Sequence, residues 1–281
     1  MPDLANGQLS SRDFRRLAEY IQGATGIRMP PGKKTMLEGR LRRRMRDLGV
    51  GAFSEYCRFL FEENGLADEA VHLIDVVTTN KTDFFREPDH FHFLAGHGLP
   101  ELVKHGWGLR RPLAVWSAAS SIGAEAYSLA MLLADYARVQ RGFDFSILAT
   151  DICTEVLETG ARGIYPEAMI EPVPMEMRRR YLRRARDRNA DTVRVVPELR
   201  GHVQFSRLNL IEGPYDFDGL FEVIFCRNIL IYFDRPTQQA VITHLCDHLR
   251  PGGYLFIGHS ETLSGMELPF RQVATTIFQR E

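Results

Sequence analysis

The chain has 281 residues, of which 44% are hydrophobic and 25% are charged, and its formal net charge is −1 at pH 7. This composition is that of a globular protein, and the length allows two domains or one large domain with an appendage. The balanced charge provides no overall field that would favour nucleic acid or a membrane surface.

Four segments within residues 10–75 predict a small helical module. They carry apolar residues at helical spacing and have the sequences SSRDFRRLAEYIQGATG, KKTMLEGRLRRRMRDLG, AFSEYCRFLFEE and LADEAVHLIDVVTTN. The first segment begins at a serine that suits a helix N-terminus and ends at glycines. In the second segment, one face of the predicted helix carries Leu37, Leu41, Met45 and Leu48.

The segment TTNKTDFFRE, residues 78–87, joins the two halves of the chain and is called the connector below. Residues 80–82 form a glycosylation pattern, which has no meaning in a cytoplasmic protein. Taken alone, the connector is interpreted most simply as a capped apolar linker.

After residue 110, short apolar segments alternate with amphipathic ones. We predict strands at LAVWSA, FSILATD, GHVQFSRLNL, FEVIFCRNILIYF, YLFIGHSE and FRQVATTIFQR, and helices at GAEAYSLAMLLADYARV, CTEVLETGARGIY and RPTQQAVITHLCDHLR. This alternation predicts a parallel, doubly wound α/β sheet. It fails between residues 165 and 202, where prolines, an arginine-dense helix and the β-rich fragment TVRVVPEL indicate an insertion into the sheet domain.

The turn after the first predicted strand, in LAVWSAASSIGAEAYS, consists of small residues and one glycine. Such a turn lets a cofactor approach the backbone and the N-terminus of the following helix, although close strand–helix packing explains it equally well. The GxGxxG fingerprint is absent, which disfavours nicotinamide and flavin cofactors.

Two carboxylates are expected near this turn. Asp151 ends the second predicted strand, where Rossmann-like sheets hold ribose hydroxyls, and a plain helix N-cap is the alternative. Glu125 lies in the turn itself. A crevice of small residues and acids suits a cofactor that carries positive charge and a ribose, and S-adenosylmethionine has both.

The cysteines and histidines indicate neither disulfides nor a metal. The cysteines are scattered at Cys57, Cys153, Cys226 and Cys246 and form no CxxC pair. The histidines of DHFHFLAGH lack the spacing of a ligand set, so no metal is expected. We also expect no signal peptide and no membrane insertion, and we therefore predict a cytoplasmic protein.

Five stretches occur in the order TTNKTDFFRE, WSAASSIGAEAYSLA, ATDICTEVLETGARGIY, VIFCRNILIYFD and PGGYLFIGHSETL. Together they closely resemble the chemotaxis receptor methyltransferases, the CheR family, over roughly residues 10–280. FCRNILIYFD and GHSE are the most distinctive of these motifs. The resemblance implies transfer of a methyl group from S-adenosylmethionine to glutamate side chains of chemoreceptors in sensory adaptation. The products are glutamate methyl esters and S-adenosylhomocysteine.

The resemblance also implies the domain organisation. Residues 1–80 are expected to form an N-terminal helical domain that docks on the receptor. Residues 81–281 are expected to form a Rossmann-like class I methyltransferase domain, in which residues of about 165–202 form a small inserted β-subdomain.

By position within the shared motifs, the resemblance assigns cofactor contacts to Asn80, Thr82, Arg86, Glu125, Asp151, Asn209, Leu210, Arg227 and Asn228. Tyr232 is the candidate for lining the methyl-transfer position, with a half-buried aromatic at a strand end as the alternative. Arg86 is expected to meet the carboxylate of the cofactor or of the incoming glutamate. Phe84 and Phe85 are expected to anchor the connector against the sheet domain.

The first turn departs from the family pattern. Relatives resemble CSTGEEPYS, whereas this chain has SSIGAEAYS at residues 120–128. Ile122 is the replacement expected to narrow or dry the pocket. The alternative function is therefore a receptor adaptor that binds S-adenosylmethionine and has weak catalytic activity.

The receptor partner is expected to dock on basic side chains. Residues 40–46 contain five arginines, and Arg42, Arg43 and Arg46 fall opposite the apolar face of the predicted helix. Lys33 and Lys34 precede this helix, which the family uses to grip the receptor. A merely solvated helix face is the alternative.

A second basic cluster consists of Arg178, Arg179, Arg180, Arg183, Arg184, Arg186 and Arg188. In some relatives the neighbouring subdomain adds a receptor's C-terminal pentapeptide to its sheet edge. Those relatives tend to carry glycines in the loop, which RARDRNADTVRV lacks. Few aromatic residues lie among the arginines, so we expect no nucleic-acid partner. We expect a monomer.

Overall fold

The computed structural model describes residues 7–185, 187, 190–217 and 219–281. Its N-terminal part is helical and contains α1 (Ser11–Thr25), α2 (Lys34–Asp47), α3 (Phe53–Glu62) and α4 (Leu66–Val77). α1 begins where the Ser10 hydroxyl accepts the N–H of Asp13, and it ends at Gly26, whose φ of 74° favours glycine. The predicted helical module is confirmed.

The apolar face of α2 is shorter than predicted. Leu37, Leu41 and Met45 are buried, whereas Leu48 is 37% exposed. Leu48 follows the last residue of α2, so the helical spacing no longer holds its side chain against the core. Its assignment to the buried stripe was wrong.

Helices and strands then alternate along the chain. The further α-helices of the described chain are α5 (Pro88–Phe93), α6 (Leu99–Lys104), α7 (Ala124–Val139), α8 (Thr154–Arg162), α9 (Met175–Tyr181), α10 (Pro197–Arg200) and α11 (Arg235–His248). The strands are β1 (Leu113–Ala118), β2 (Phe145–Asp151), β3 (Ile164–Pro166), β4 (Leu182–Arg184), β5 (Thr192–Val195), β6 (Val203–Arg207), β7 (Phe221–Cys226), β8 (Leu249–Ile257), β9 (Phe270–Ala274) and β10 (Ile277–Arg280).

Seven strands form one sheet in the order β6-β2-β1-β7-β8-β10-β9. The pairs from β6 to β8 are parallel, and β10 is antiparallel to both of its neighbours. The strand order reverses beside β1, where α/β sheets commonly bind ligands. The predicted Rossmann-like sheet is confirmed.

The two faces of this sheet are buried in two different cores. Along β1, Val115 contributes to the core that contains α7, whereas Trp116 contributes to the core that contains Leu17 of α1 and Leu41 of α2. Because side chains alternate along a strand, β1 joins both cores. The N-terminal helices are therefore packed onto one face of the sheet.

Three predicted elements end earlier than the sequence suggested. β7 stops at Cys226, because Asn228 has a φ of 59° and residues Leu230–Tyr232 form a 3-10 turn. The C-terminal stretch forms the hairpin β9–β10 instead of one strand, with Thr276 at a φ of 55° in its turn. α8 ends before Gly163, and the rest of its predicted segment forms β3.

The expected inserted β-structure is present as a three-stranded antiparallel sheet in the order β3-β5-β4. Its Tyr165, Val193 and Val195 are buried in the core that contains α7. Among the described residues, no helix combines the length and the apolarity that crossing a membrane requires.

Candidate functional site

A large pocket lies between the N-terminal helices and the carboxyl ends of β1, β2 and β7. It encloses about 1110 Å³ of space free of protein atoms, including the part that is open to solvent. Its walls come from α1 and α2, the connector, and the turns that follow the three strands.

The structure brings the predicted cofactor residues together. The lining includes all nine of them, namely Asn80, Thr82, Arg86, Glu125, Asp151, Asn209, Leu210, Arg227 and Asn228. Tyr232 and Lys33 also line the pocket, whereas Lys34, Arg42, Arg43 and Arg46 lie elsewhere. The predicted positions that line the pocket run from Lys33 to Tyr232 in the sequence, and only the fold makes them neighbours.

The turn after β1 has an unusual backbone. Ala119 and Ser121 have φ values of 59° and 51°, and Gly123 has 84°. A Cβ atom on Gly123 would lie 2.8 Å from the Phe205 ring and 3.2 Å from the Cα of Gly160, so only glycine fits. Residues held in such conformations persist where the surroundings fix them, and they cluster at ligand sites.

Asp151 fixes this turn from the end of β2. One of its carboxylate oxygens accepts the Ser121 N–H at 2.8 Å and the other accepts the Cys153 N–H at 3.0 Å. Burial raises the pKa of Asp151 above its ordinary value, and these backbone hydrogen bonds oppose the rise. Asp151 thus organises the pocket wall that it also lines.

The alternative of Asp151 as the cap of α8 does not hold. The N–H of Thr154, the first residue of α8, donates to the Asp75 carboxylate at 3.0 Å, and the Thr154 hydroxyl donates to it at 2.5 Å. Asp75 belongs to α4, so the N-terminal helices supply this cap. The contact links the two parts of the protein next to the pocket.

Arg227 connects the connector to the first turn of α7. Its side chain is 1% exposed and lies 2.9 Å from the Glu87 carboxylate and 3.2 Å from the Glu125 carboxylate. Its guanidinium also donates to the Arg86 carbonyl oxygen. Arg227 therefore holds the walls of the pocket, and most of its donors are already bound within the protein.

The two acids that face Arg227 differ in their pKa shifts. Burial raises the pKa of Glu125, against the effects of Arg227 and of the Ser117 hydroxyl, which donates to Glu125 at 2.7 Å. Burial also acts to raise the pKa of Glu87. There, however, the charge of Arg227 and the hydrogen bonds from Asn228, Arg227 and the His259 N–H outweigh it and hold the pKa at about 2.

Glu87, His90 and His259 place their ligand atoms within 4.8 Å of one another. The Glu87 oxygens, however, already accept hydrogen bonds from Arg227, Asn228 and the His259 N–H. A cation in this cluster would also lie beside the Arg227 guanidinium and be repelled by it. We therefore assign it no metal function.

Tyr232 lines the pocket and is half-buried. The Lys33 ammonium lies 5.3 Å from the centre of the Tyr232 ring, and the Tyr232 carbonyl accepts the Arg28 N–H at 2.9 Å. Burial lowers the pKa of Lys33, and the charge of Arg40 adds to this effect. Lys33 thus belongs to the pocket wall rather than to the exposed face of α2.

The expectation that Ile122 would narrow the pocket was wrong. Ile122 is not among the lining residues, and its side chain packs against the core that contains α7. Ala124 and Ala126, the other two replacements, are fully buried in that core. The residues of the turn after β1 that line the pocket are therefore Ala119, Ser120 and Ser121.

The five arginines of residues 40–46 divide into two groups. Arg40 donates to the connector, with its carbonyl acceptors including Thr78 at 2.8 Å, and Arg44 donates to Glu69 at 2.8 and 2.7 Å. The exposed members are Arg42, Arg43 and Arg46. The exposed face of α2 is therefore basic, as docking of an acidic partner requires.

The second arginine cluster bonds within the chain. Arg179 and Arg180 pair with Glu176 at 2.9 Å and Asp135 at 2.6 Å, and Arg184 pairs with Glu167. Arg178 and Arg183 donate to backbone carbonyls. Arg186 and Arg188 lie outside the described residues. Three of the five described members are paired with acids and the other two bond to the backbone, so they form a poorer docking surface than α2.

Sequence reasoning missed four residues that shape the site, namely Glu87, Ser120, Ser121 and Glu261. Glu87 accepts a hydrogen bond from Arg227, and it is the last residue of the connector. Glu261 accepts the N–H groups of Asn228 at 2.9 Å and Gly258 at 2.6 Å and so holds the turn after β7. The distinctive GHSE motif was a signal for Glu261. The serines at 120 and 121 carried no signal beyond their small size.

Comparisons with known proteins show the family of this chain. The family model described as CheR methyltransferase, SAM binding domain, matches residues 80–279. The one described as CheR methyltransferase, all-alpha domain, matches residues 12–78.

Three relatives are similar over nearly their whole length. The chain is 40% identical over 270 residues to a chemotaxis protein methyltransferase of Escherichia coli (strain K12), covering 96% of this chain and 91% of that protein. The identity is 39% with the Salmonella typhimurium protein of that name, with coverage of 96% and 90%. It is 38% with chemotaxis protein methyltransferase 2 of Pseudomonas aeruginosa, with coverage of 95% and 92%.

Proposed function

Because the chain belongs to the CheR methyltransferase family, we propose that this S-adenosylmethionine-dependent methyltransferase methylates glutamate side chains of chemoreceptors in the cytoplasm. The products are glutamate methyl esters and S-adenosylhomocysteine, and the reaction serves sensory adaptation. The observation that carries the proposal is the single pocket that gathers all nine expected cofactor residues.

The pocket fits this cofactor in its chemistry. The Ser120 hydroxyl is buried without a hydrogen-bond partner among the described residues, and Ser120 lines the pocket. It is therefore free to bond a ligand. The wall contains the carboxylates of Glu125 and Asp151, groups that suit a sulfonium and a ribose. The amides of Asn209 and Asn228 offer further donors and acceptors.

The residues of the chain act by binding, orienting and excluding water. When bound, the cofactor supplies a methyl group on a positively charged sulfur. The substrate glutamate is already ionised at neutral pH, so the protein needs no general base. Tyr232, Lys33 and Arg86 line the pocket. In this proposal Tyr232 lines the methyl-transfer position, and Arg86 is the candidate to orient a carboxylate. Correct orientation alone can lower a barrier by roughly 7–11 kcal/mol.

The receptor docks, in this proposal, on the exposed basic face of α2. Arg42, Arg43 and Arg46 lie on that face, and Lys33 lies between α2 and the pocket. Helices of receptors that bear glutamates are acidic, so the charges are complementary. A C-terminal receptor pentapeptide could add to the small sheet at β4, one of its edges.

Labelled methyl transfer tests the proposal directly. Receptor-containing membranes incubated with the protein and methyl-labelled S-adenosylmethionine should acquire label that alkali releases, as an ester requires. Asp151→Ala should lose both binding of S-adenosylhomocysteine and transfer. Glu155→Ala, which removes a nearby acid outside the pocket, is the matched control and should retain both.

The adaptor alternative predicts a different result. An adaptor would bind S-adenosylhomocysteine with wild-type dependence on Asp151 but would transfer no label to any receptor. The position of Ile122 outside the pocket removes the reason for expecting such a loss. Label that appears in small molecules without receptor present would contradict the proposed substrate.

A further inference from the structure

Tyr165 of the inserted sheet contacts two of the loops that wall the pocket, the turn after β1 and the connector. It lies in β3 and is 1% exposed. Its hydroxyl donates to the carbonyl of Ile122 at 2.7 Å, and its ring meets the Phe84 ring edge to face at a centroid distance of 5.0 Å. Tyr165 itself is not a lining residue of the pocket.

The first of these loops is the turn after β1. Ile122 lies between Ser121 and Gly123, the residue that precedes α7. Ser121 donates its N–H to Asp151 and its hydroxyl to the Asn80 carbonyl at 2.9 Å. Because Ala119 and Ser121 have positive φ values, this turn depends on outside contacts to keep its shape. The Tyr165 hydroxyl is one such contact.

The second loop is the connector. Phe84 is fully buried, and it lies between the pocket residues Thr82 and Arg86. The next residue, Phe85, donates its N–H to the Ser128 hydroxyl at 2.9 Å and has a φ of 51°. The Tyr165 ring therefore supports the middle of the connector, where residues on both sides reach the pocket.

We propose that Tyr165 is a positioning residue for cofactor binding, which acts through the Ile122 carbonyl and the Phe84 ring. By these contacts the small inserted sheet holds the two loops in the conformation that the cofactor requires. The inference rests on the proposed function in taking this pocket as the cofactor site. It gives the inserted sheet a role in the chemistry of the pocket in addition to any role in receptor binding.

The test compares two buried tyrosines that differ in what they hold. Tyr165→Phe removes the hydroxyl and keeps the ring. The matched control is Tyr127→Phe, since Tyr127 is also 1% exposed and its hydroxyl donates at 2.8 Å to Gly160, which lies in α8 and not in a pocket loop. Loss of one buried hydrogen bond should lower the melting temperature of the two full-length variants by similar amounts.

Cofactor binding should separate the variants. By calorimetry, Tyr165→Phe should raise the Kd for S-adenosylhomocysteine roughly three- to tenfold, the loss expected when one ordering hydrogen bond is removed. Tyr127→Phe should stay within about twofold of wild type. In transfer assays, the KM for S-adenosylmethionine should rise in Tyr165→Phe while kcat at saturation stays nearly constant, because only positioning is affected.

Hydrogen exchange provides a second readout without any ligand. Amides of residues 119–123 should exchange faster in Tyr165→Phe than in wild type and in Tyr127→Phe. Equal Kd values for Tyr165→Phe and wild type would overturn the inference while leaving the proposed function intact. Should the wild-type protein bind no S-adenosylhomocysteine, the proposed function fails. The inference about cofactor binding then fails with it, whatever the exchange rates.

Discussion

The Arg227 guanidinium lies 2.9 Å from the Glu87 carboxylate, although 140 residues separate the two in sequence. Arg227 is 1% exposed and Glu87 is 13% exposed at the side chain, so water screens the pair little. The pair ties the end of the connector to the turn after β7. It thereby closes the pocket wall between two loops that are distant in the chain.

Replacing Glu87 by glutamine should destabilise the protein. Removing one partner of a buried ion pair typically costs about 3–5 kcal/mol, and we expect about 3 because Glu125 still faces Arg227. Urea unfolding at pH 7 measures the change. In Glu63→Gln, which breaks an ion pair with Arg58 at the surface, the change should be below about 1 kcal/mol.

The pH dependence of the Glu87 effect has a definite sign. Since the folded pKa is about 2 and an unfolded glutamate titrates near 4.3, this stabilisation is complete above that pH. It is lost as the pH falls toward 2. The difference between wild type and Glu87→Gln should therefore shrink in acid, and a difference that stayed constant down to pH 3 would contradict the assignment.

His90 should make the protein sensitive to mild acid. Burial, together with the charge of Arg227, lowers the pKa of His90 to about 3, whereas an unfolded histidine titrates near 6.5. Between these values the unfolded state holds one more proton, so stability falls with decreasing pH by about 1.4 kcal/mol per unit. His90→Gln should reduce the slope of unfolding free energy against pH between 6 and 4.5 by that amount. His92→Gln, at an exposed position, should leave the slope unchanged.

Asp75 should contribute to stability through the contact between the two parts of the protein. It is 8% exposed and accepts both donors of Thr154. Loss of these bonds in Asp75→Ala should cost about 1–3 kcal/mol, because the part-buried donors of Thr154 remain unpaired. Glu158→Ala, which removes an exposed partner of Arg162, is the control and should change the unfolding free energy by less than about 0.5 kcal/mol. Equal costs would show that the Asp75 contact contributes little.

Restoring the family's threonine at position 122 should leave cofactor affinity unchanged. The Ile122 side chain packs against the core and not in the pocket, so Ile122→Thr should keep the Kd for S-adenosylhomocysteine within about twofold of wild type. Loss of buried apolar surface should lower the melting temperature instead. A tenfold gain in affinity would revive the earlier expectation that this residue narrows the pocket.

Receptor docking should depend on the exposed face of α2. Replacing Arg42, Arg43 and Arg46 together by alanine should raise the KM for receptor and flatten its dependence on salt, while cofactor affinity stays intact. The control removes the same charge from exposed positions on other elements, with Arg12, Arg15 and Arg141 changed to alanine. If both triple variants behave alike, net charge and not this face governs binding.

The sequence by itself determined the elements and the family. The periodicity of apolar residues located the helices and most strands, because the residues that face the core recur at a spacing that differs between helices and strands. The ordered motifs identified the family and indicated Asn80, Glu125, Asp151 and Arg227 as cofactor-site residues, because each motif is a short contiguous stretch of sequence. The sequence did not predict where β7 ends or that the C-terminal stretch forms a hairpin. The positive φ values at Asn228 and Thr276 that end these strands are selected by contacts across the fold.

Only the tertiary structure decided what these residues do to one another. It showed that Arg227 binds Glu87 and Glu125, and that the Ile122 side chain packs against the core. It also showed that Arg40 and Arg44 bond within the protein and so do not contribute to the exposed basic face of α2. Each of these results depends on which distant segments meet and on which side chains are thereby excluded from water. The strength of a charge pair and the direction of a side chain depend on the environment that these distant segments form. A local sequence pattern carries no information about that environment.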